Sequence, residues 1–243
     1  MNSIARPPRV AAWAGFASIA TVIAAQVYSI MTSPPDKDMG DLQKIMYVHV
    51  PAAWMTFIAF FVVFVCSVKY MWKGKENDDL LAASAAEVGA VLTALTLVLG
   101  SIWGRPTWGI WWTWDPRLTM TVILWTMYAV YLVLRTVGRD DPQIARYAAV
   151  LAIVAVLDVP LIMVSVRLWR GMHPSVISAP AGTGGIQDSR MIVTLLVTLV
   201  AFASLFLWLL WRRYEGLRLD AELHALEDEI SAGAIPGALR GSR

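Results

Sequence analysis

The sequence predicts an all-α, polytopic integral membrane protein, a bundle of six transmembrane helices with both termini cytoplasmic. Of its 243 residues, 58% are hydrophobic and only 16% charged, with a mean hydropathy of +0.58, far from the balance of a soluble domain. Six separate runs are each long enough to cross a hydrocarbon layer, which takes roughly 17–25 apolar residues in a helix. Most of these runs carry no charge through their centres.

The first span, about 10–31, follows the short basic stretch Met1–Arg9. A secretory leader would have a shorter apolar core, and Trp13 and Gln26 fit an uncleaved anchor better. The second, about 51–71, opens at Pro51 just after His49 and holds Cys66. The third, about 80–102, carries Glu87, and the fourth, about 118–135, follows Asp115-Pro116. An acid before a proline at the first helical position suits a helix cap. The fifth, about 147–166, is interrupted by Asp158-Val159-Pro160, where freed backbone groups need partners. The sixth covers about 191–211, which closes a membrane domain of residues 1–213. Residues 214–243 form a charged cytoplasmic tail in which Leu217, Leu219, Leu223 and Leu226 recur at helical spacing, predicting a short amphipathic helix.

Lys and Arg near the span ends set the orientation, because the cytoplasmic side holds the excess. Thirteen of the 20 basic residues fall with the two termini and seven on the opposite side. The loops 32–50, 103–117 and 167–190 therefore face outward, and they hold nearly all the candidate chemistry. The net charge of +2 is sorted by topology and does not point to nucleic acid. Cys66 is the only cysteine, so the chain has no internal disulfide, no thiolate metal cluster and no c-type haem attachment motif. Ala181-Gly182-Thr183-Gly184-Gly185 lacks the Lys-Ser/Thr of a phosphate loop and reads as a flexible connection.

The segment Trp103–Arg117 gathers five of the twelve tryptophans, interrupted by glycine and proline. An interfacial belt accounts for one or two such residues. It accounts poorly for Trp108, Trp111 and Trp112, which would share one side of a helix. Of the three histidines, His224 is in the tail and reads as an ordinary solvated residue, while His49 and His173 flank prolines on the tryptophan face. Two imidazoles and an aromatic platform on one membrane face fit haem: axial ligands for the iron, rings against the macrocycle, and a guanidinium for each propionate. The available cations are Arg105, Arg117, Arg167, Arg170 and Arg190. Zinc fits less well, since a closed site takes four ligands.

The run Trp108-Gly109-Ile110-Trp111-Trp112-Thr113-Trp114-Asp115, continuing into Arg117-Leu118-Thr119, resembles the WWD signature of the haem-handling WWD-domain family. The length, the six spans, the flanking histidines and the motif between spans three and four resemble its cytochrome c maturation protein C (CcmC) branch over nearly the whole chain. The resemblance implies a haem site on the periplasmic face of a bacterial inner membrane. His49 and His173 would be the metal ligands, with Trp108, Trp111, Trp112, Trp114, Asp115 and Arg117 around the cofactor. It implies non-covalent, transient holding of haem b and its passage to the periplasmic haem chaperone CcmE. The implied partners are the ATP-binding-cassette subunits CcmA and CcmB and the small helper CcmD. No catalytic residue is implied.

Within the motif, Asp115 is expected to cap the fourth helix, and Arg117 either to hold a propionate or to anchor at the interface. Glu87 and Asp158 are costly in lipid if charged, so they are expected to face other helices and to be protonated, joining helices by hydrogen bonds. Two other functions remain open on the residues alone. One is a b-type electron-transfer subunit, although that class buries paired histidines within its spans. The other is an assembly factor whose tryptophans grip a protein.

Overall fold

The computed structural model describes residues 9–37, 39–138, 141–169, 171, 173, 186 and 188–231. Among them there are seven α-helices and one short 3-10 turn, Asp41–Ile45. The helices are α1 (Arg9–Thr32), α2 (Met46–Lys73), α3 (Glu76–Trp108), α4 (Pro116–Val137), α5 (Pro142–Ala155), α6 (Asp158–Trp169) and α7 (Ser189–Ser231). Six segments are long and apolar enough to cross a membrane, with α5 and α6 together making the fifth. Helices are the expected solution, because lipid offers nothing to an unsatisfied N–H or C=O.

α2 and α3 pack along each other at the centre. α1 and α7 close one side of this pair, and α4, α5 and α6 the other. One apolar core joins Phe60, Leu124, Tyr128, Ala152 and Ile162 of α2, α4, α5 and α6 to the alanines of α3; a second joins Met55, Leu92, Phe202 and Phe206. The central approach is close because α3 presents Ala82, Ala85, Ala86 and Gly89, the small residues through which membrane helices meet. Phe60 fills the space over Gly89 and stacks on Tyr128, with ring centres 3.7 Å apart and planes 2° from parallel.

The end of the bundle opposite the tryptophan segment is tied by charge. Arg135 of α4 makes a two-pronged bond to Asp79 (2.6 and 2.8 Å), and Lys69 of α2 pairs with Asp78 (2.7 Å). Both acids lie in the first turn of α3, where the helix dipole favours a negative charge.

Several element boundaries differ from expectation for local reasons. α2 begins five residues before Pro51, which puts His49 inside its first turns. The proline has no N–H to give the Tyr47 carbonyl, and Gln26 of α1 donates to that carbonyl instead, at 3.2 Å. The break in the fifth span is where the sequence marks it. Pro160 cannot donate to the Val156 carbonyl, which takes the N–H of Val159 at 3.1 Å. Asp158 opens α6 with its Oδ2 buried and without a hydrogen-bond partner. Glu87 does face another helix, but its partner is cationic. Arg213 of α7 donates to it at 2.7 Å. α7 runs without a break from the last span to Ser231.

A Cβ at Gly89 would sit 2.7 Å from the Phe60 ring and 3.0 Å from the Ala59 Cβ. The ring is pinned by Tyr128 and cannot yield. Gly89→Ala is therefore expected to destabilise the purified protein by about 1–3 kcal/mol, the range for overpacking a tight core. The check is its thermal unfolding midpoint in detergent, which Gly216→Ala, at an open helical position of α7, is expected not to lower.

Candidate functional site

Four helix ends converge under the tryptophan segment. α2 supplies His49 from its first turns. His173 lies four residues past the end of α6, and three contacts hold that chain in place. Asp115 accepts the Arg117 backbone N–H at 2.9 Å with Pro116 in the first turn, the cap the sequence predicts. The same carboxylate fills the space at Gly171, where a Cβ would stand 2.6 Å from its Oδ2. Arg117 then reaches His173, with Nη1 3.1 Å from Nδ1, and its Nη2 donates to the Met163 carbonyl of α6 at 3.4 Å.

The two imidazoles meet with ring centres 6.3 Å apart and planes 30° from parallel. Metal–imidazole bonds of about 2 Å, with about 1 Å more from each nitrogen to its ring centre, put two rings on opposite sides of one metal roughly 6 Å apart. Trp103 of α3 packs against His173 (centres 6.1 Å apart) and edge-on against Trp108 (5.4 Å, 70°). His49 packs beside Gly100, where an added Cβ would meet its Cε1 at 3.4 Å.

The imidazoles and Trp103 form a wall shared by two cavities. The larger is a cleft of about 310 Å³. It runs between α2, α3, α4 and α6, and Trp108 and Arg117 line it beside the histidines. Sites for small molecules are typically roughly 300–1,000 Å³, so the cleft is at the lower end of that range. The smaller, about 60 Å³, is lined by Asp36, Met39, Gln43 and Met46. Among the described residues that line the cleft, three buried polar atoms have no geometric hydrogen bond: Nδ1 of His49, Oγ1 of Thr56 and Nε of Arg117. A guanidinium donates only and takes a carboxylate through two parallel bonds. The free Nε is thus an unused half of a carboxylate fork.

The expected residues divide into two groups. His49, His173, Trp108, Asp115 and Arg117 come together at the cleft. Trp111, Trp112 and Trp114 do not line it. α3 extends through Pro106 to Trp108 and stops at Gly109, which turns at φ 80°, and the chain from Ile110 to Asp115 is not helical. The three indoles expected on one helix side are therefore split. Trp112 and Trp114 meet edge-on, 5.8 Å apart, while Trp111 and Trp114 are 60% and 78% exposed beyond the cleft mouth. Of the other cations considered, Arg105 donates to the Gly109 carbonyl and Arg190 pairs with Asp188 at 2.9 Å. The Arg167 side chain and Arg170 lie outside the described residues. Sequence reasoning gave no separate part to Trp103 or Gly171; the small residue two before a candidate ligand was the only available signal for the latter.

Fold and site together define a helical membrane protein with two imidazoles and two indoles gathered around a cleft at one end of its bundle. The comparisons make this specific. The model of the family described as heme exporter protein C matches residues 3–228. Heme exporter protein C of Bradyrhizobium diazoefficiens is 34% identical over 241 residues, covering 95% of this chain and 91% of its own. That of Escherichia coli K12 is 32% identical over 181 residues (71% and 74%). A Marchantia polymorpha protein, described as a putative cytochrome c biosynthesis ccmC-like mitochondrial protein, is 35% identical over 192 residues (79% of each). The chain belongs to the heme exporter protein C family, which places it among the haem-handling components of cytochrome c maturation.

Asp115 both caps α4 and seats Gly171. Asp115→Ala is expected to cost about 0.5–2 kcal/mol of stability, the usual worth of such a cap, whereas Asp115→Asn keeps most of it. Thermal unfolding of the two variants side by side checks this.

Proposed function

We propose that the protein receives haem at the periplasmic face of a bacterial inner membrane, holds it non-covalently between His49 and His173, and passes it to the chaperone CcmE. The observation that carries this reading is the 6.3 Å separation of two imidazoles borne on different elements, lining one cleft with Trp103, Trp108 and Arg117. Each residue has a distinct part. His49, whose ring has the backbone of Thr96 as a hydrogen-bonding neighbour, has one ring nitrogen for the iron and the other N–H for a carbonyl, the usual division in a ligating histidine. Trp108 and Trp103 pack against the macrocycle, and Trp111, Trp112 and Trp114 stand at the rim, where cargo leaves.

Arg117 has two roles. A guanidinium cannot accept, so in its contact with Nδ1 of His173 that nitrogen is the acceptor and the proton of a neutral ring is on Nε2. With haem bound, Arg117 would hold a propionate through its Nε and a terminal N–H as a carboxylate fork, and His173 would be a ligand to the iron.

The cofactor contributes a reactive vinyl edge for whatever bond the acceptor forms; the chain's own residues hold, orient and release. The protein is accordingly not an enzyme. The sequence carries no nucleotide-binding motif, so release driven by ATP belongs to the subunits CcmA and CcmB, with CcmD as a helper. Thirteen basic residues on one side against seven on the other support cytoplasmic termini, and residues 214–243 form the cytoplasmic tail.

The test is the visible spectrum of the purified protein with and without co-expressed CcmE. Delivery predicts six-coordinate haem in the parent, less haem in His49→Ala or His173→Ala, and depletion when CcmE is present. Arg117→Gln is expected to lower retained haem severalfold while leaving a six-coordinate spectrum. Haem that stays stoichiometric whatever the chaperone level would indicate a resident electron carrier, and no haem in any preparation would indicate a protein-binding role for the tryptophans.

A further inference from the structure

α7 carries a second, unrelated surface. Its 43 residues measure about 65 Å at 1.5 Å per residue, twice the roughly 30 Å of a hydrocarbon core. The stretch after Arg212 and Arg213 continues the same helix beyond its apolar run. On it Leu219, Leu223, Leu226 and Ile230 follow one another at intervals of four, three and four residues, and each is 50–55% exposed. This is the a/d seam of a coiled coil. Asp220 and Glu227 line one side of it and Glu222 and Glu229 the other, filling every e and g position with acid.

We propose that this extension docks a partner protein's amphipathic helix, one with an apolar a/d seam flanked by Lys or Arg. Acids on both flanks decide the kind of partner. A second copy of the same helix would set acid against acid across the seam, which is how coiled coils reject a wrong mate. A membrane surface is the wrong occupant as well, since interfacial helices are rich in Lys and Arg on their polar face and lie in the plane of anionic headgroups. The extension has neither property. Arg218 pairs with Glu222 at 3.2 Å and His224 lies 3.4 Å from Glu227, while Asp228 and Glu229 have no basic residue beside them in the turn that ends at Ser231; a basic partner supplies the opposite charge these flanks lack.

The test uses the full chain in zwitterionic nanodiscs. The probe is a fluorescent peptide of about three heptads with Ile at a, Leu at d and Lys at e and g, and its control is the same peptide with Glu at e and g. The lysine peptide is expected to bind and the glutamate peptide not to. Leu223→Gln with Leu226→Gln is expected to weaken binding tenfold or more, and Glu222→Lys with Glu227→Lys to transfer preference to the glutamate peptide. Retained membrane insertion and cleft folding are checked by thermal unfolding, which none of these exposed changes should shift. Equal affinity for both peptides, or binding indifferent to the leucines, would overturn the proposal. So would copy-to-copy disulfide formation as the main product of a Leu226→Cys variant.

Discussion

The governing constraint is that no backbone polar group can go unsatisfied in hydrocarbon. It confines irregular chain to the ends of the bundle, and that is where every chemically able side chain of the site is found. The few breaks inside the membrane are repaired one for one. Gln26 supplies the donor Pro51 lacks, and Val159 supplies the one Pro160 lacks. A rigid bundle follows, and it lets His49 and His173, far apart in sequence, be held at a fixed separation.

The site is built as a chain of dependencies. The packed pair α2 and α3 sets His49 against Gly100 and Trp103. α4 carries the rest: its cap residue seats Gly171 and its next side chain holds His173. The signature motif therefore does two separate jobs. Its first tryptophan lines the cleft, and its last residues, Asp115 and Arg117, fix the loop that brings the second histidine. Trp111 and Trp114, between them, are exposed and do not line the cleft.

Much of this was legible in the sequence because it depends on local rules. Uninterrupted apolar runs marked the spans, Asp115-Pro116 marked the start of α4, and Asp158-Val159-Pro160 marked the break between α5 and α6. What could not be read depends on distant partners. Nothing near Glu87 in sequence announces Arg213, and nothing near Gly171 announces Asp115. The tryptophan segment was misjudged for a different reason. Pro106 and the glycines suggested a loop throughout, yet α3 carries on to Trp108 and only Gly109 ends it, so indoles that share a helical period do not share a face. The amphipathic tail was visible in its leucines. Its continuity with the last span was not: one helix runs from Ser189 to Ser231.

The most direct test is low-temperature electron paramagnetic resonance of the ferric, haem-loaded protein, alone and as His49→Gly and His173→Gly variants supplied with free imidazole. The account predicts a low-spin signal of two imidazole ligands in the parent, high-spin iron in each variant, and return of the low-spin signal when imidazole is added. A low-spin signal that survives in either variant without added imidazole would show that the iron is held elsewhere and would contradict the account.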